Sequence, residues 1–291
     1  MLFYPCCKIN LGLRVLGRRP DGYHDLESIF IPVPFLHDDL ELTPLDSPDG
    51  ETLLTLSGIP VQGDTADNLC LRAYDVLKAD FPDLPPVHIK LHKRIPTGAG
   101  LGGGSSDAAF TLKGLNDLFA LGLGEDELER YAARLGADCP FFIRCVPALV
   151  EGIGDRLTPL DHNPIEGYHL LLAKPPEAVS TREAYAGIDE MKATETKERT
   201  PDNMSAQTLG ARTPGQTPGQ IPGNDFEATV FPRHLAIARL KADLYAFGAY
   251  YASMSGSGSA VYGLFEDAAT LRAAAQRLRQ THPDCQLFFE E

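Results

Sequence analysis

The segment Pro96-Thr-Gly-Ala-Gly-Leu-Gly-Gly-Gly-Ser-Ser-Asp-Ala-Ala109 constrains this chain more than any other. Between Gly98 and Gly104 only Ala99 and Leu101 carry a Cβ, so the backbone can take positive φ and approach a ligand closely. Val87 to Leu91 before it alternates like a strand, and Ser105 or Ser106 after it suits the N-cap of a helix reaching about Phe119. A helix starting there aims its free N–H groups back into the loop, and the two together predict a phosphate cradle. Gly98, Gly100 and Gly103 also fit G-x-G-x-x-G, but that dinucleotide pattern needs a βαβ unit, and Gly122-Leu-Gly124 leads here into another helix. The Gly-Lys-Ser/Thr of a Walker loop is absent. A plain strand-to-helix turn needs only one or two glycines, so the surplus favours phosphate. Ser105 and Ser106 suit capping and contact with magnesium or phosphate equally well.

Around this loop the patterning is α+β. Lys8 to Val15, Ser28 to Val33, Asp39 to Leu42 and Val87 to Leu91 read as strands. Leu69, Ala73, Val76 and Leu77 share one face of a helix opened by Asp67-Asn68, and Leu128 to Leu135 forms another. Tyr168 to Ala173 reads as a buried strand that opens a second part. Helical stripes follow at Ile237 to Phe247 and Leu271 to Leu278, with strands at Ala249 to Ser253, Ala260 to Phe265 and Cys285 to Phe289. That order suits a ferredoxin-like layer. The length of 291 residues fits two domains, an N-terminal one over 1–160 and a C-terminal one over 161–291. Residues 191–223 lack periodicity and repeat Thr-Pro-Gly-Gln, which reads as a low-complexity surface insertion without a chemical role.

A net charge of −14 argues against a nucleic-acid partner, whose surface needs clustered Lys and Arg, while leaving room for a local phosphate site. Nothing approaches the roughly 18 consecutive apolar residues of a membrane span, and no signal-peptide pattern opens the chain, so a cytoplasmic protein is expected. Cysteines 6, 7, 70, 139, 145 and 285 show neither C-x-x-C nor zinc spacing and read as reduced thiols packed as small hydrophobes.

Phosphoryl transfer asks a protein for positioning, for positive charge or amides on the phosphoryl oxygens, and for a group that orients or deprotonates the nucleophile. Asp138, in Leu135-Gly-Ala-Asp-Cys-Pro-Phe141, follows a helix where a scaffold can hold a carboxylate rigidly; by itself it reads as a turn residue before Pro140. Lys8 is a charge within an apolar strand, ordinarily a snorkelling side chain, and Asn10 shares its face. Asp21-Gly-Tyr-His-Asp25 reads as a polar turn, or more sharply as a platform for stacking a base. Ser255-Gly-Ser-Gly-Ser259 reads as a hairpin turn, gaining weight only beside the first glycine loop.

Taken jointly, Lys8-Ile-Asn-Leu11, Gly17 to His24, Pro96 to Ala109, Leu135 to Phe141, Glu151-Gly-Ile-Gly154 and Ser255-Gly-Ser-Gly258 resemble the small-molecule kinase superfamily of galactokinase, homoserine kinase and mevalonate kinase. The pairing of Lys-x-Asn-Leu with Asp-Gly-Tyr-His is similar to the branch that uses ATP to phosphorylate a cytidine diphosphate-linked methylerythritol in the non-mevalonate route to isoprenoids. The resemblance covers almost the whole chain and leaves 191–223 unmatched. It implies a two-domain α+β fold, with a nucleotide-binding N-terminal domain, a ferredoxin-like C-terminal substrate domain and the active site in the cleft between them. It implies Lys8 and Asp138 as the catalytic pair, with ATP and Mg2+ as co-substrate and cofactor. Pro96, Thr97, Gly98, Ala99, Gly100, Leu101, Gly102, Gly103, Gly104, Ser105 and Ser106 would take the ATP phosphates, with Asn68 and Lys93 beside the nucleotide. Tyr23 and His24 would receive the cytosine, Tyr185 would be the second stacking aromatic, and Asn10 would help to place the reacting hydroxyl. A monomer or homodimer is expected. The competing readings are another kinase of the superfamily, which gives the Asp-Gly-Tyr-His platform nothing to grip, and a silent ligand sensor, against which both Lys8 and Asp138 stand.

Overall fold

Alternation of buried and exposed side chains sets the strands, and capping sets the helices. The computed structural model describes residues 1–46, 50–61, 63–194 and 222–290. Its strands are β1 (Leu2–Phe3), β2 (Cys6–Arg18), β3 (His24–His37), β4 (Asp39–Pro44), β5 (Leu53–Gly58), β6 (Val87–Lys93), β7 (Ala148–Gly152), β8 (Arg156–Pro159), β9 (His169–Lys174), β10 (Tyr251–Met254), β11 (Val261–Phe265) and β12 (Gln286–Phe289). Its helices are α1 (Leu69–Asp80), α2 (Gly103–Leu118), α3 (Glu125–Ala133), α4 (Phe141–Arg144), α5 (Thr181–Thr194), α6 (Glu227–Val230), α7 (Leu235–Ala246) and α8 (Ala268–Thr281).

The chain forms two compact units that interleave along the sequence. The first comprises Met1–Lys8, Pro32–Thr97 and Gly102–Val146; the second comprises Ile9–Ile31, Gly98–Leu101 and Pro147–Glu291. In the first, the sheet runs β1-β4-β6-β5, with β4 antiparallel and β5 parallel to β6. On β6 the period of two turns Val87, Ile89 and Leu91 inward and carries Lys93 onto the same buried face. Helix α1 begins where Asn68 accepts the amide of Cys70 at 2.9 Å, and it buries Cys70, Ala73, Tyr74 and Leu77.

Helix α2 starts earlier than the serines suggest. Its N-cap is Gly102 at φ 72°, with no side-chain cap, and the amide of Ser106 already donates to the Gly102 carbonyl. Ser105 and Ser106 therefore lie inside the first turn, and the orphan amides at the helix start belong to Gly102, Gly103, Gly104 and Ser105.

In the second unit β9, β10, β11 and β12 form an all-antiparallel sheet in the order β10-β11-β9-β12. With α5 to α7 between β9 and β10 and α8 between β11 and β12, this is the split βαβ arrangement of a ferredoxin-like domain. Its core gathers Leu171, Ala184, Ile188, Ile237, Leu240 and Leu278 among others. A further sheet, β2-β3-β7-β8, pairs Leu26–Phe30 with Ala148–Gly152. The expected insertion is shorter than 191–223. Met191 lies on α5 and packs against this core, the Gly223 carbonyl accepts the Leu13 amide, and the Pro222 carbonyl accepts the Tyr251 hydroxyl. Residues 195–221, most of the expected insertion, lie outside the described residues.

Candidate active site

Lys8 and Asp138 meet in the first unit. Lys8 stands near the start of β2, its side chain 3% exposed, and its Nζ lies 3.6 Å from Oδ2 of Asp138, which is 35% exposed. Burial pulls the Lys8 ammonium below its ordinary range, and Asp138 works against that fall. The arrangement is a sheltered cation beside a carboxylate with one side open. Asp138 sits in the turns between α3 and α4, and Phe142 lies on α4. A Cβ on Gly102 would lie 2.9 Å from the Phe142 ring and 3.2 Å from Cγ of Lys8. The loop end, the ammonium and the carboxylate therefore belong to one packed corner.

Beside that corner is a pocket of about 260 Å³, lined among others by Asn68, Leu69, Lys93, Thr97, Gly104 and Asp107. Asn68 and Lys93 thus line the same pocket. The Lys93 amine is held inside the wall, however, donating to Asp38 and, at 2.6 Å, to Asp107. Burial alone would lower the Lys93 ammonium, but Asp107 and Asp38 more than offset it and hold it raised. Burial also pushes the Asp107 carboxyl up, to about 8, despite Lys93. Asp38 ties the same corner to the chain after β6 through the amides of Arg94 and Ile95. Ser106 Oγ and Asp107 Oδ1 are buried without a hydrogen-bond partner. A buried polar atom without a partner is costly, so both atoms are candidates for contact with a bound group.

Gly98–Leu101 belongs to the second unit, where the other glycine loop clasps it. The Ser255 hydroxyl donates to the Gly100 carbonyl at 2.9 Å, and the Ala260 amide donates to Ala99 at 3.1 Å. The two loops do keep company. Asn10 is buried here: its Nδ2 donates to Ser28, its amide reaches Ser255 Oγ at 3.3 Å, and its carbonyl accepts the Tyr262 hydroxyl.

The Asp21–Asp25 platform is the hairpin joining β2 to β3. The Arg19 amide donates to the Tyr23 carbonyl, and the Tyr23 amide to the Asp21 carboxylate. Tyr23 stands 62% exposed at the tip, a free ring face for stacking. His24 is buried, stacks on Tyr185 at 4.7 Å and 21°, and has Nε2 2.7 Å from Asp189 Oδ1. Tyr185 in turn meets Phe226 edge-on. His24 and Tyr185 are therefore brought ring to ring. The sequence reading missed Asp189, although it lies four residues after Tyr185 and so on the same face of α5. It also missed Asp38 and Asp107, for which no local pattern exists.

Among the described residues no group of three or more His, Cys, Asp or Glu is placed to hold a metal, and no helix is long and apolar enough to cross a membrane. The family model described as GHMP kinases N terminal domain matches residues 68–145, and the one described as GHMP kinases C terminal matches 217–284. A 4-diphosphocytidyl-2-C-methyl-D-erythritol kinase of Bacteroides fragilis is 47% identical over 91% of this chain and 92% of its own length. The enzyme of that name from Porphyromonas gingivalis is 42% identical over 94% of this chain and 96% of its own. The crystal structure of a 4-(cytidine 5'-diphospho)-2C-methyl-D-erythritol kinase superposes with a TM-score of 0.79 at 33% identity, covering 99% of this chain and 98% of that one. Mevalonate kinase of L. major, at 15% identity and a TM-score of 0.68 over 99% of this chain and 94% of its own, shares the fold.

Proposed function

Because the chain belongs to the GHMP kinase family, and within it to the 4-diphosphocytidyl-2-C-methyl-D-erythritol kinases, we propose that it transfers the γ-phosphoryl group of ATP to the 2-hydroxyl of 4-diphosphocytidyl-2-C-methyl-D-erythritol, a step of isoprenoid precursor synthesis. The observation that carries this reading is the Lys8–Asp138 pair packed against the Gly102 end of the glycine loop. Asp138 accepts the hydroxyl proton as the bond to phosphorus forms, since its carboxylate is 35% exposed beside Lys8. Lys8 pairs with that carboxylate and offsets charge growing on the phosphoryl oxygens. The amides of Gly98 to Ser106 take the ATP phosphates, and the pocket beside Asn68 and Lys93 takes the rest of the nucleotide.

Magnesium fits this corner as a partner of the phosphates. The chain offers the hydroxyls of Ser105 and Ser106, of which Ser106 Oγ has no partner, and Mg2+ ordinarily takes its other ligands from phosphate and water. When bound, the ion neutralises phosphate charge. Tyr23 offers its open ring to the cytosine, the stacked His24 and Tyr185 serve the same end of the substrate, and Asn10 helps to place the sugar alcohol. In chain order we read 1–160 as the nucleotide-binding domain and 161–291 as the substrate domain, with the two family models falling one in each. Unpaired thiols at all six cysteines suit the reducing cytoplasm. The protein works as a monomer or a homodimer.

Coupled ADP measurement tests the reading. The cytidine diphosphate-linked substrate should turn over at least a hundredfold more efficiently than free methylerythritol, given about 1–3 kcal/mol per stacked base plus the diphosphate contacts. Equal turnover of the two would overturn the substrate assignment.

A further inference from the structure

Two thiols outside the machinery described above lie close together. Sγ of Cys6 and Sγ of Cys145 are 3.3 Å apart, though 139 residues separate them in sequence. Cys6 stands on β2 two residues before Lys8 and therefore on the same strand face. Cys145 caps the C-terminus of α4, the helix that follows Asp138 and carries Phe142. A bond between these sulfurs would join the two segments that hold the Lys8–Asp138 pair.

We propose that Cys6 and Cys145 form a reversible disulfide in exchange with a small-molecule disulfide, and that this bond slows phosphoryl transfer. The chemistry has a direction. Cys145 is half-exposed and Cys6 is 6% exposed, so an oxidant meets Cys145 first. Among the six thiols Cys145 alone is shifted down, through its hydrogen bond with Cys6 and the nearby Lys113. Burial raises Cys7, Cys70, Cys139 and Cys285, and the bond to Cys145 raises Cys6. The Cys145 thiolate attacks one sulfur of the small disulfide, forming a mixed disulfide and expelling a thiolate. Cys6 then loses its proton and attacks Sγ of Cys145, expelling the second half as a thiol. Two protein thiols become one disulfide, and two electrons pass to the small molecule, which leaves as two thiols.

The effect on rate rests on the catalytic placement of Lys8 and Asp138; the bond does not. Bringing the sulfurs from 3.3 Å to bonding distance draws the two segments together by about 1 Å. A displacement of that size in a catalytic pair costs on the order of a hundredfold. The experiment incubates the full chain with glutathione disulfide, alkylates the remaining thiols, and reads peptides by mass spectrometry and kcat by ADP release. A Cys6–Cys145 crosslink should appear, kcat should fall at least tenfold, and dithiothreitol should restore both. Cys145→Ser should keep its activity and ignore the oxidant. Cys6→Ala should instead accumulate the glutathione adduct on Cys145, because the resolving thiol is gone, which keeps the test sound if the serine variant folds poorly. Absence of the crosslink in the wild-type protein would overturn the proposal. So would a crosslink that leaves kcat unchanged, whatever substitutions at Lys8 or Asp138 do, or equal inhibition of the Cys145→Ser variant.

Discussion

At Gly104 an added Cβ would meet nothing nearer than Leu69 Cδ1 at 3.9 Å, and the residue lines the pocket beside Lys93. At Gly102 the same atom would press on Phe142 and Lys8 at a positive φ, so substitution there confuses folding with binding. Gly104→Val therefore isolates the ligand. Titration with a non-hydrolysable ATP analogue should show affinity at least tenfold weaker, about 1.4 kcal/mol, with a nearly unchanged melting temperature; unchanged affinity would reduce the loop to a turn. Residues such as Lys8 and Asp138 were legible because their motifs occur together, though each alone reads as a surface lysine and a turn aspartate. Asp189 was hidden because its contact with His24 spans 165 residues, and Asp38 because it meets Lys93 across 55. Pairings at such separations are made by topology and leave no local pattern.

Among the elements, the interlocked glycine loops bear the tightest constraint. A Cβ on Gly100, at φ 72°, would lie 2.0 Å from the Ser255 carbonyl oxygen, which is backbone and cannot swing away. Gly100→Ala should destabilise the protein by roughly 2 kcal/mol or more, combining overpacking with left-handed backbone strain. Thermal or urea unfolding reads this, and a melting temperature equal to wild type would mean that the two loops are not clasped. Strong periodicity made β6, α1, β9, α7 and α8 readable from sequence. Helix α5 carries a helical stripe at Ala184, Ile188 and Met191, but the polar run that follows masks its end. Strand β8 is mostly exposed and lacks alternation, so nothing marked it. The start of α2 shifted because glycines, which sequence rules treat as breakers, here supply the cap.

For the whole molecule, the order of motifs along the chain read correctly as a two-part α+β kinase, while the interleaving of its compact units did not show. Strand β2 carries Lys8 in one unit and Asn10 in the other, a division that contact decides and chain order conceals. On an acidic protein of net charge −14, the positive field we propose for the triphosphate is local, at Lys8 and the helix-start amides. Because burial lowers the Lys8 ammonium, the rate should fall with rising pH before it would for an ordinary lysine, as the cation is lost. The direct test of the account is the single-turnover rate of Asp138→Asn, Lys8→Ala and the double variant against wild type under saturating ATP and substrate. Each single change should cost about 10²–10⁴-fold with ATP affinity preserved, and the double should be far less than multiplicatively worse, because the two act as a unit. A fully active Asp138→Asn enzyme, or losses that multiply independently, would contradict it.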